Sequence, residues 1–293
     1  MPTKRNVALL DKDLTFLEEI TLKTRDYFDR TNGAVDRELE RFANSRFFGP
    51  LKYALEGGKR IRPVVTLLSA EAVGSTDDAV LDAAVAVELL HAESIIHDDI
   101  IDQEVERRGK AAFHVRYGYS ASLLTADFVF AMILGIASRY HDKRVATTLS
   151  KAALKMCEGE FMELTVDPMT YKLEWDEYID ILYNKTAALF ETATQLGATI
   201  GGGSNEQIEA LTNYGKNLGM AYQIHDDILD WGAKDKVTLA LKQNNDESSI
   251  LGKLNSLKEG YVKKAKSQLS LVSDNKARRL LSQLTDFSVQ RDF

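Results

Sequence analysis

An all-α fold is what this sequence predicts, and three observations carry the prediction. Apolar residues recur at helical spacing through most of the 293 residues. Prolines stand only at Pro2, Pro50, Pro63 and Pro168, so long helices meet few interruptions. No segment shows the alternation of apolar and polar residues expected of a half-buried strand.

The elements follow in order. Lys12 to Arg30 forms an opening amphipathic helix with Leu14, Leu17, Ile20, Leu22 and Phe28 roughly on one side, ended by Asn32-Gly33. Val35 to Phe48 is a shorter element closed by Gly49-Pro50. The segment Gly57-Gly58-Lys59-Arg60-Ile61-Arg62-Pro63 puts three cations after a glycine pair. Proline is well tolerated in a first helical turn, so Gly58 to Arg62 falls at a helix start, where backbone N–H groups and cations favour an anion; taken alone, the segment fits a flexible exposed basic loop equally well. Ser75-Thr76-Asp77-Asp78 caps the long helix Ala79 to Ile101. A connection through Gly109 and His114 to Gly118 leads to helices over Ala121–Tyr140 and Val145–Val166, and a break at Pro168 precedes Glu174–Ile200. Gly201-Gly202-Gly203-Ser204 interrupts the pattern for four residues only, which does not make a domain boundary, so residues 1–293 are read as one domain. Helical spacing then resumes through Tyr222-Gln223; Asn244 to Glu247 is a polar loop, and Ser249 to Phe293 makes two closing helices.

Hydrophobic content of 44% and charged content of 28% are those of a soluble globular chain. A net charge of −7 argues against nucleic acid as a partner, so a polyanionic ligand would need a local basic pocket and a metal. The amino terminus lacks an apolar signal core, and the longest apolar run, Phe128 to Ala137, is too short to span a bilayer, so no transmembrane segment is expected. A single cysteine, Cys157, allows no disulfide framework; a reducing, cytoplasmic setting is expected, with Cys157 a small buried residue.

One phrase occurs twice: His97-Asp98-Asp99-Ile100-Ile101-Asp102 and His225-Asp226-Asp227-Ile228-Leu229-Asp230, each ending an apolar helical run. On a helix, Asp98 and Asp102 share one face and Asp99 lies about 100° round from it. Such carboxylates repel by roughly 2 to 3 kcal/mol per pair at about 6 Å and an effective dielectric near 20, so a cation is expected between them. Oxygen-only donors suit a hard divalent ion, and Mg²⁺ takes one or two carboxylates and completes its shell with water and phosphate. Softer metals fit poorly, since the histidines lack ligand spacing. A lone acidic helix end is more often a solvated face; its repetition makes that reading poor. Lys59, Arg60, Arg62, Arg107, Arg108 and Lys185 supply the complementary charge, although Lys185, among Ala, Leu and Phe, reads on its own as a snorkelling surface residue ahead of a functional cation. Arginine forks and magnesium both match phosphate oxygens, and diphosphate is the simplest ligand needing both. No nucleophilic triad or phosphate-cradling Gly-x-x-x-x-Gly-Lys loop is present, which leaves metal-assisted departure of a leaving group.

Five motifs in order resemble the trans-isoprenyl diphosphate synthases, or polyprenyl synthetase family. They are Gly57 to Pro63, Asp98 to Asp102 with Arg107-Arg108-Gly109, Lys185-Thr186, Tyr222-Gln223, and Asp226 to Asp230. The resemblance implies an isoprenoid-synthase-type helical bundle around a deep central pocket, usually a homodimer. It further implies Mg²⁺ held by Asp98, Asp102 and Asp226, with Asp99, Asp227 and Asp230 supporting the metal ligands or their waters. Arg107 and Lys185 would contact an allylic diphosphate, while Lys59, Arg62, His91 and Arg108 would hold isopentenyl diphosphate. Thr186 and Gln223 would position or stabilise an allylic cation. His91, seven residues before Asp98, falls on nearly the same helix face, and Gln223, three before Asp226, points toward the second acidic face.

The sequence departs from the family pattern twice. The glycine-lysine loop after the second motif is cut short; Lys236 matches its retained lysine, and the earlier one is missing unless Lys234 replaces it. Glu93 stands five residues before Asp98, where an aromatic or small residue usually sets product length, and a carboxylate facing an isoprenoid tail is costly unless paired. The expected activity is a short- to medium-chain prenyl transfer, with geranylgeranyl diphosphate the favoured product. A terpene cyclase and a non-catalytic partner subunit are the rivals.

Overall fold

The computed structural model describes residues 4–231, 236–242 and 246–290, with side chains from Ile20 onward except at position 21. Helix α1 is one continuous element, Lys4–Glu40, and does not end at Asn32-Gly33. A mid-helix glycine costs only about 1 kcal/mol. Against that, Tyr27, Ala34, Val35 and Leu39 bury one uninterrupted stripe, and Asn32 is engaged from outside: its Oδ1 accepts from Arg60 Nε at 3.1 Å. The expected second element therefore splits. Its first part finishes α1, and Gly49-Pro50 lies inside the first turn of α2 (Phe48–Leu55) rather than closing a helix.

Helix α3 (Ile61–Ala72) starts where the glycine pair and Pro63 place it, with Arg60 in left-handed backbone at φ +46° just before it. Helix α4 (Ala79–Ile101) has the predicted bounds. It is buried almost all round, from Val80 to Leu90 without a gap except Asp82, which makes it the central rod of the bundle. Each fully buried Leu or Val contributes roughly 1.5–3 kcal/mol.

A feature absent from the sequence reading follows α4: a minimal hairpin of β1 (Glu106–Arg107) and β2 (Lys110–Ala111). Arg108 and Gly109 both have positive φ, the conformation a two-residue turn requires, and two residues per strand are too few to show alternation. Then come α5 (Phe113–Tyr117), α6 (Tyr119–Ala137) and α7 (Lys143–Leu164). By length and composition α6 is long and apolar enough to cross a membrane, although one face packs against α4 inside the bundle.

Helix α8 (Trp175–Leu182) passes through a π turn at Tyr183–Ala187 into α9 (Ala188–Ile200). Helix α10 (Asn205–Leu229) begins with a capping box in which Ser204 Oγ accepts from Gln207 N–H and Gln207 Oε1 accepts from Ser204 N–H. Helices α11 (Lys236–Lys242), α12 (Glu247–Gln268) and α13 (Lys276–Ser288) complete the chain. α9 packs between α3 and α10, and α12 covers α10. The carboxyl ends of α4 and α10 are thereby brought to the same end of the bundle.

Candidate active site

Both acidic phrases open onto one cavity of about 440 Å³. From α4 it receives Asp98 and Asp102, from α10 Asp227 and Asp230, from the π turn Lys185 and Thr186, and from α11 Lys236. A bond spans the two sides: Lys236 Nζ lies 3.3 Å from Asp102 Oδ1. Each phrase sits at a helix carboxyl end, where the partial negative charge of unpaired carbonyls adds to that of the side chains.

The charge density is visible in Asp98. Burial, together with Glu160 and Asp102, pushes its carboxyl up to about 7 in spite of Lys185 nearby. Lys185 Nζ lies 2.7 Å from Glu163 and 2.9 Å from Glu160. Burial alone would disfavour its ammonium, but Glu163, Asp98 and Glu160 outweigh it and hold the pKa above the ordinary lysine range. The lysine is therefore a half-buried site cation rather than a snorkelling surface residue.

A hydrogen-bonded chain fixes the second phrase. Thr186 Oγ1 donates to Gln223 Oε1 at 2.8 Å, Gln223 Nε2 donates to Asp227 Oδ1 at 2.8 Å, and Tyr178 OH donates to Asp227 Oδ2 at 2.6 Å. Thr186 and Gln223 are thus joined, and Gln223 reaches Asp227, one turn away, in addition to facing the acidic side.

The remaining acids take other places. Asp99 is buried, turned off the cavity, and accepts from Arg107 Nε at 2.8 Å with Nη2 at 2.6 Å. It anchors Arg107, which still lines the cavity wall. Asp226 is not among the residues lining this cavity; its charge is felt instead by Arg62.

A second cavity of about 490 Å³ gathers Gly58, Lys59, Arg62, His91, Arg108, Phe190 and Tyr222. The guanidinium of Arg62 stacks on Phe190 at 4.6 Å, and its Nε is buried with no hydrogen-bond partner. Burial lowers its pKa, and burial next to Arg62 and Arg108 holds His91 well below the usual imidazole value. Gly58 has φ +91° and a Cβ there would lie 2.8 Å from Arg108 Nη1, so a side chain would displace that arginine. Arg60 and Glu88 line the same cavity, but the Arg60 charge is already taken: it is buried, bonded to Glu88 and to the Leu55 carbonyl, and it pins the loop. The seven-residue spacing of His91 and Asp98 places them on one side of α4, yet two turns apart, so each serves a different cavity.

A third, apolar pocket of about 250 Å³ runs from Asp98 past Glu93 and His97 to Leu90, Phe130, Met156 and Phe161. Glu93 does face it, and the cost is met by a partner: Glu93 Oε1 lies 3.1 Å from His97 Nδ1, a contact that raises the histidine pKa. Cys157 lines the same pocket and is exposed, contrary to the buried role expected, because it lies on the outer face of α7. Lys234 and the shortened loop at 232–235 lie outside the described residues.

Sequence reasoning missed Glu160, Glu163, Tyr178 and Glu88. The first two had a signal, carboxylates three apart on one side of α7 with Phe161 and Met162 between them; the others read as ordinary helix residues until the neighbouring helices are in place.

A helical bundle with two acidic helix ends over one cavity and a cationic cavity beside it defines the isoprenoid-synthase class of fold. The Polyprenyl synthetase family model matches residues 44–246. A geranylgeranyl diphosphate synthase of Methanosarcina mazei is 30% identical over 96% of this chain and 99% of its own. Among solved structures, geranylgeranyl pyrophosphate synthetase from Pyrococcus horikoshii superposes with a TM-score of 0.84 at 28% identity, over 94% of this chain and 99% of that one. Polyprenyl synthase from Caulobacter crescentus, solved with calcium and isoprenyl diphosphate, gives 0.80 at 26%, over 94% and 98%. The chain belongs to the polyprenyl synthetase family and is a trans-prenyltransferase, an isoprenyl diphosphate synthase.

Proposed function

We propose that the protein condenses isopentenyl diphosphate with an allylic diphosphate in a Mg²⁺-dependent reaction that yields a short- to medium-chain trans-prenyl diphosphate, with geranylgeranyl diphosphate the favoured product. The observation that carries this reading is the pairing of one acidic cavity with one arginine-lined cavity at the same bundle end.

Among the described residues no ready-made group of three or more metal-ligating side chains occurs, and the fit to a metal rests on the donor set. Asp98, Asp102, Asp227 and Asp230 offer only oxygens, too few and too spread to enclose an ion alone, which suits Mg²⁺ shared with phosphate and water. Asp226, which does not line this cavity, would join through water. Bound there, the metal would neutralise charge on the departing diphosphate. Lys185, Arg107 and Lys236, which line the acidic cavity, would hold the allylic diphosphate, and Lys59, Arg62, His91 and Arg108, which line the other, would hold isopentenyl diphosphate. Departure of diphosphate leaves an allylic cation; the double bond of isopentenyl diphosphate attacks it, and the proton lost passes to the released diphosphate. The joined Thr186 and Gln223 side chains, which line the cavity, would stabilise such a cation through their oxygens. The growing tail enters the apolar pocket, and Phe130 and Phe161 at its wall favour a short product.

The outer face of α6 carries exposed Leu123, Leu124, Phe130 and Leu134 around Ala131 and Gly135, and α7 adds Leu154, Phe161 and Leu164. An apolar face of this extent suits a homodimer. A lone Cys157 suits a reducing cytoplasm.

Incubating the protein with labelled isopentenyl diphosphate, Mg²⁺ and allylic primers of increasing length, and sizing the dephosphorylated products, tests the reading. Label in a C20 product is expected. Turnover without isopentenyl diphosphate would point to a cyclase, and no turnover with any primer would point to a partner-subunit role.

A further inference from the structure

One stripe of α7 runs the length of the π turn. Lys155 bonds Tyr183 OH, and Tyr183 OH donates to Glu191 Oε2 at 2.6 Å. Gly159 comes next: a Cβ built there would lie 2.4 Å from the Lys185 backbone N and 2.8 Å from the Asn184 carbonyl carbon. Asn184 Nδ2 then meets Met162 Sδ at 3.9 Å, and Glu160 and Glu163 take the Lys185 ammonium. Each contact falls one helical turn or less after the previous one, so a single face of α7 meets successive residues of the turn.

A π turn inserts one extra residue into a helix and is strained unless its surroundings impose it. Here the insertion rotates Lys185 and Thr186 into the cavity together. Thr186 is tied to α10 through Gln223, whereas the Lys185 ammonium is held by Glu160 and Glu163 of α7.

We infer that Gly159 and Glu163 are positioning residues of the transfer reaction, acting through Lys185. Gly159 admits the π-turn backbone against α7, and Glu163, with Glu160 beside it, aims the ammonium into the acidic cavity and keeps it off Asp98. Without Glu163 the ammonium is drawn to Asp98, the carboxylate the metal–diphosphate pair must use. This rests on the proposed role of Lys185 as a diphosphate contact.

The test is a double-mutant cycle on the full chain. Glu163→Gln, Glu163→Ala and Gly159→Ala are each made alone and in a Lys185→Ala background. Turnover and the binding of inorganic pyrophosphate with Mg²⁺, by calorimetry, are both read. Each single variant is expected to lower kcat about 10- to 100-fold, the range for an ångström-scale misplacement. Pyrophosphate binding should weaken several-fold, while the KM for isopentenyl diphosphate, held in the other cavity, changes less than about twofold. In the Lys185→Ala background the Glu163 substitutions should change kcat and pyrophosphate binding by less than twofold, because the group they position is gone, and Gly159→Ala, which also shifts Thr186, should lose less than it does alone. Multiplicative losses in that background would overturn the inference, as would a single Glu163→Gln variant with unchanged kcat. Should Gly159→Ala fail to fold, the two Glu163 variants decide. If Lys185→Ala itself leaves turnover intact, the role of Lys185 falls first, and the two failures are told apart.

Discussion

Arg62 offers a perturbation with two effects of opposite sign. Its guanidinium lies beneath the surface against Phe190, its Nε has no hydrogen-bond partner, and Arg108 and His91 share its cavity. A buried donor left unpaired costs about 1–3 kcal/mol. Arg62→Met keeps an unbranched apolar stem that ends where Nε stands, and removes that donor, the charge and the guanidinium on the Phe190 ring. The ligand-free protein should gain about 1–3 kcal/mol, which for a chain of this size is roughly 2–6 °C in Tm at about 2 °C per kcal/mol. Binding should move the other way. Removing one partner of a desolvated charge pair costs about 2–5 kcal/mol. The KM for isopentenyl diphosphate should therefore rise about 30- to several-thousand-fold. Pyrophosphate binding in the acidic cavity should stay within about threefold. Thermal unfolding, steady-state kinetics in isopentenyl diphosphate and calorimetry with pyrophosphate check the three parts. A variant that melts lower and keeps its KM would show that Arg62 is a structural residue and refute the reasoning.

Three further outcomes follow from the same geometry. Because burial and neighbouring carboxylates raise Asp98 to about 7, a proton competes with the metal below that pH. Mg²⁺-dependent pyrophosphate binding should weaken as pH falls through 7, by up to about tenfold per unit, and a flat profile from pH 8 to 5.5 in calorimetry would contradict it. Tyr178→Phe removes a hydrogen bond to buried Asp227 without changing shape, and should cost about 1.5–3 kcal/mol of stability in chemical denaturation together with a measurable drop in kcat. If the protein forms the proposed homodimer through α6, Leu134→Glu on the outer face of that helix should halve the mass measured by light scattering, and an unchanged mass would rule α6 out as the interface.

The fold was legible where a long periodic run met an unambiguous stop. Helix α4 was bounded correctly because Ser75 to Asp78 precede it and the acidic phrase ends its apolar run. Helix α1 was not: Asn32-Gly33 looks like a terminus locally, and only the neighbouring Arg60, 28 residues on, shows what Asn32 is doing. The same distinction governs the site. Repetition revealed the two acidic phrases, since neither copy alone departs from a solvated helix end. What each carboxylate does was hidden. Asp99 turned out to hold Arg107, and Asp226 stands outside the cavity that Asp227 lines, because rotation about a helix axis by one residue decides between them. Arg60 and Arg62 are two residues apart in the same motif; one is neutralised by Glu88 from α4 and the other is left open to a ligand, a difference that depends wholly on a contact between distant segments. Glu93 was rightly flagged as anomalous, but its partner His97 one turn along is what makes it tolerable.

The most direct measurement is a crystal structure with pyrophosphate and Mn²⁺ in place of Mg²⁺, the metal located by its anomalous signal. Metal peaks between the Asp98–Asp102 and Asp227–Asp230 carboxylates, with pyrophosphate oxygens completing the coordination and Lys185 in contact, are the predicted result. Metal bound to one phrase alone with pyrophosphate elsewhere, or no metal at either, would contradict it.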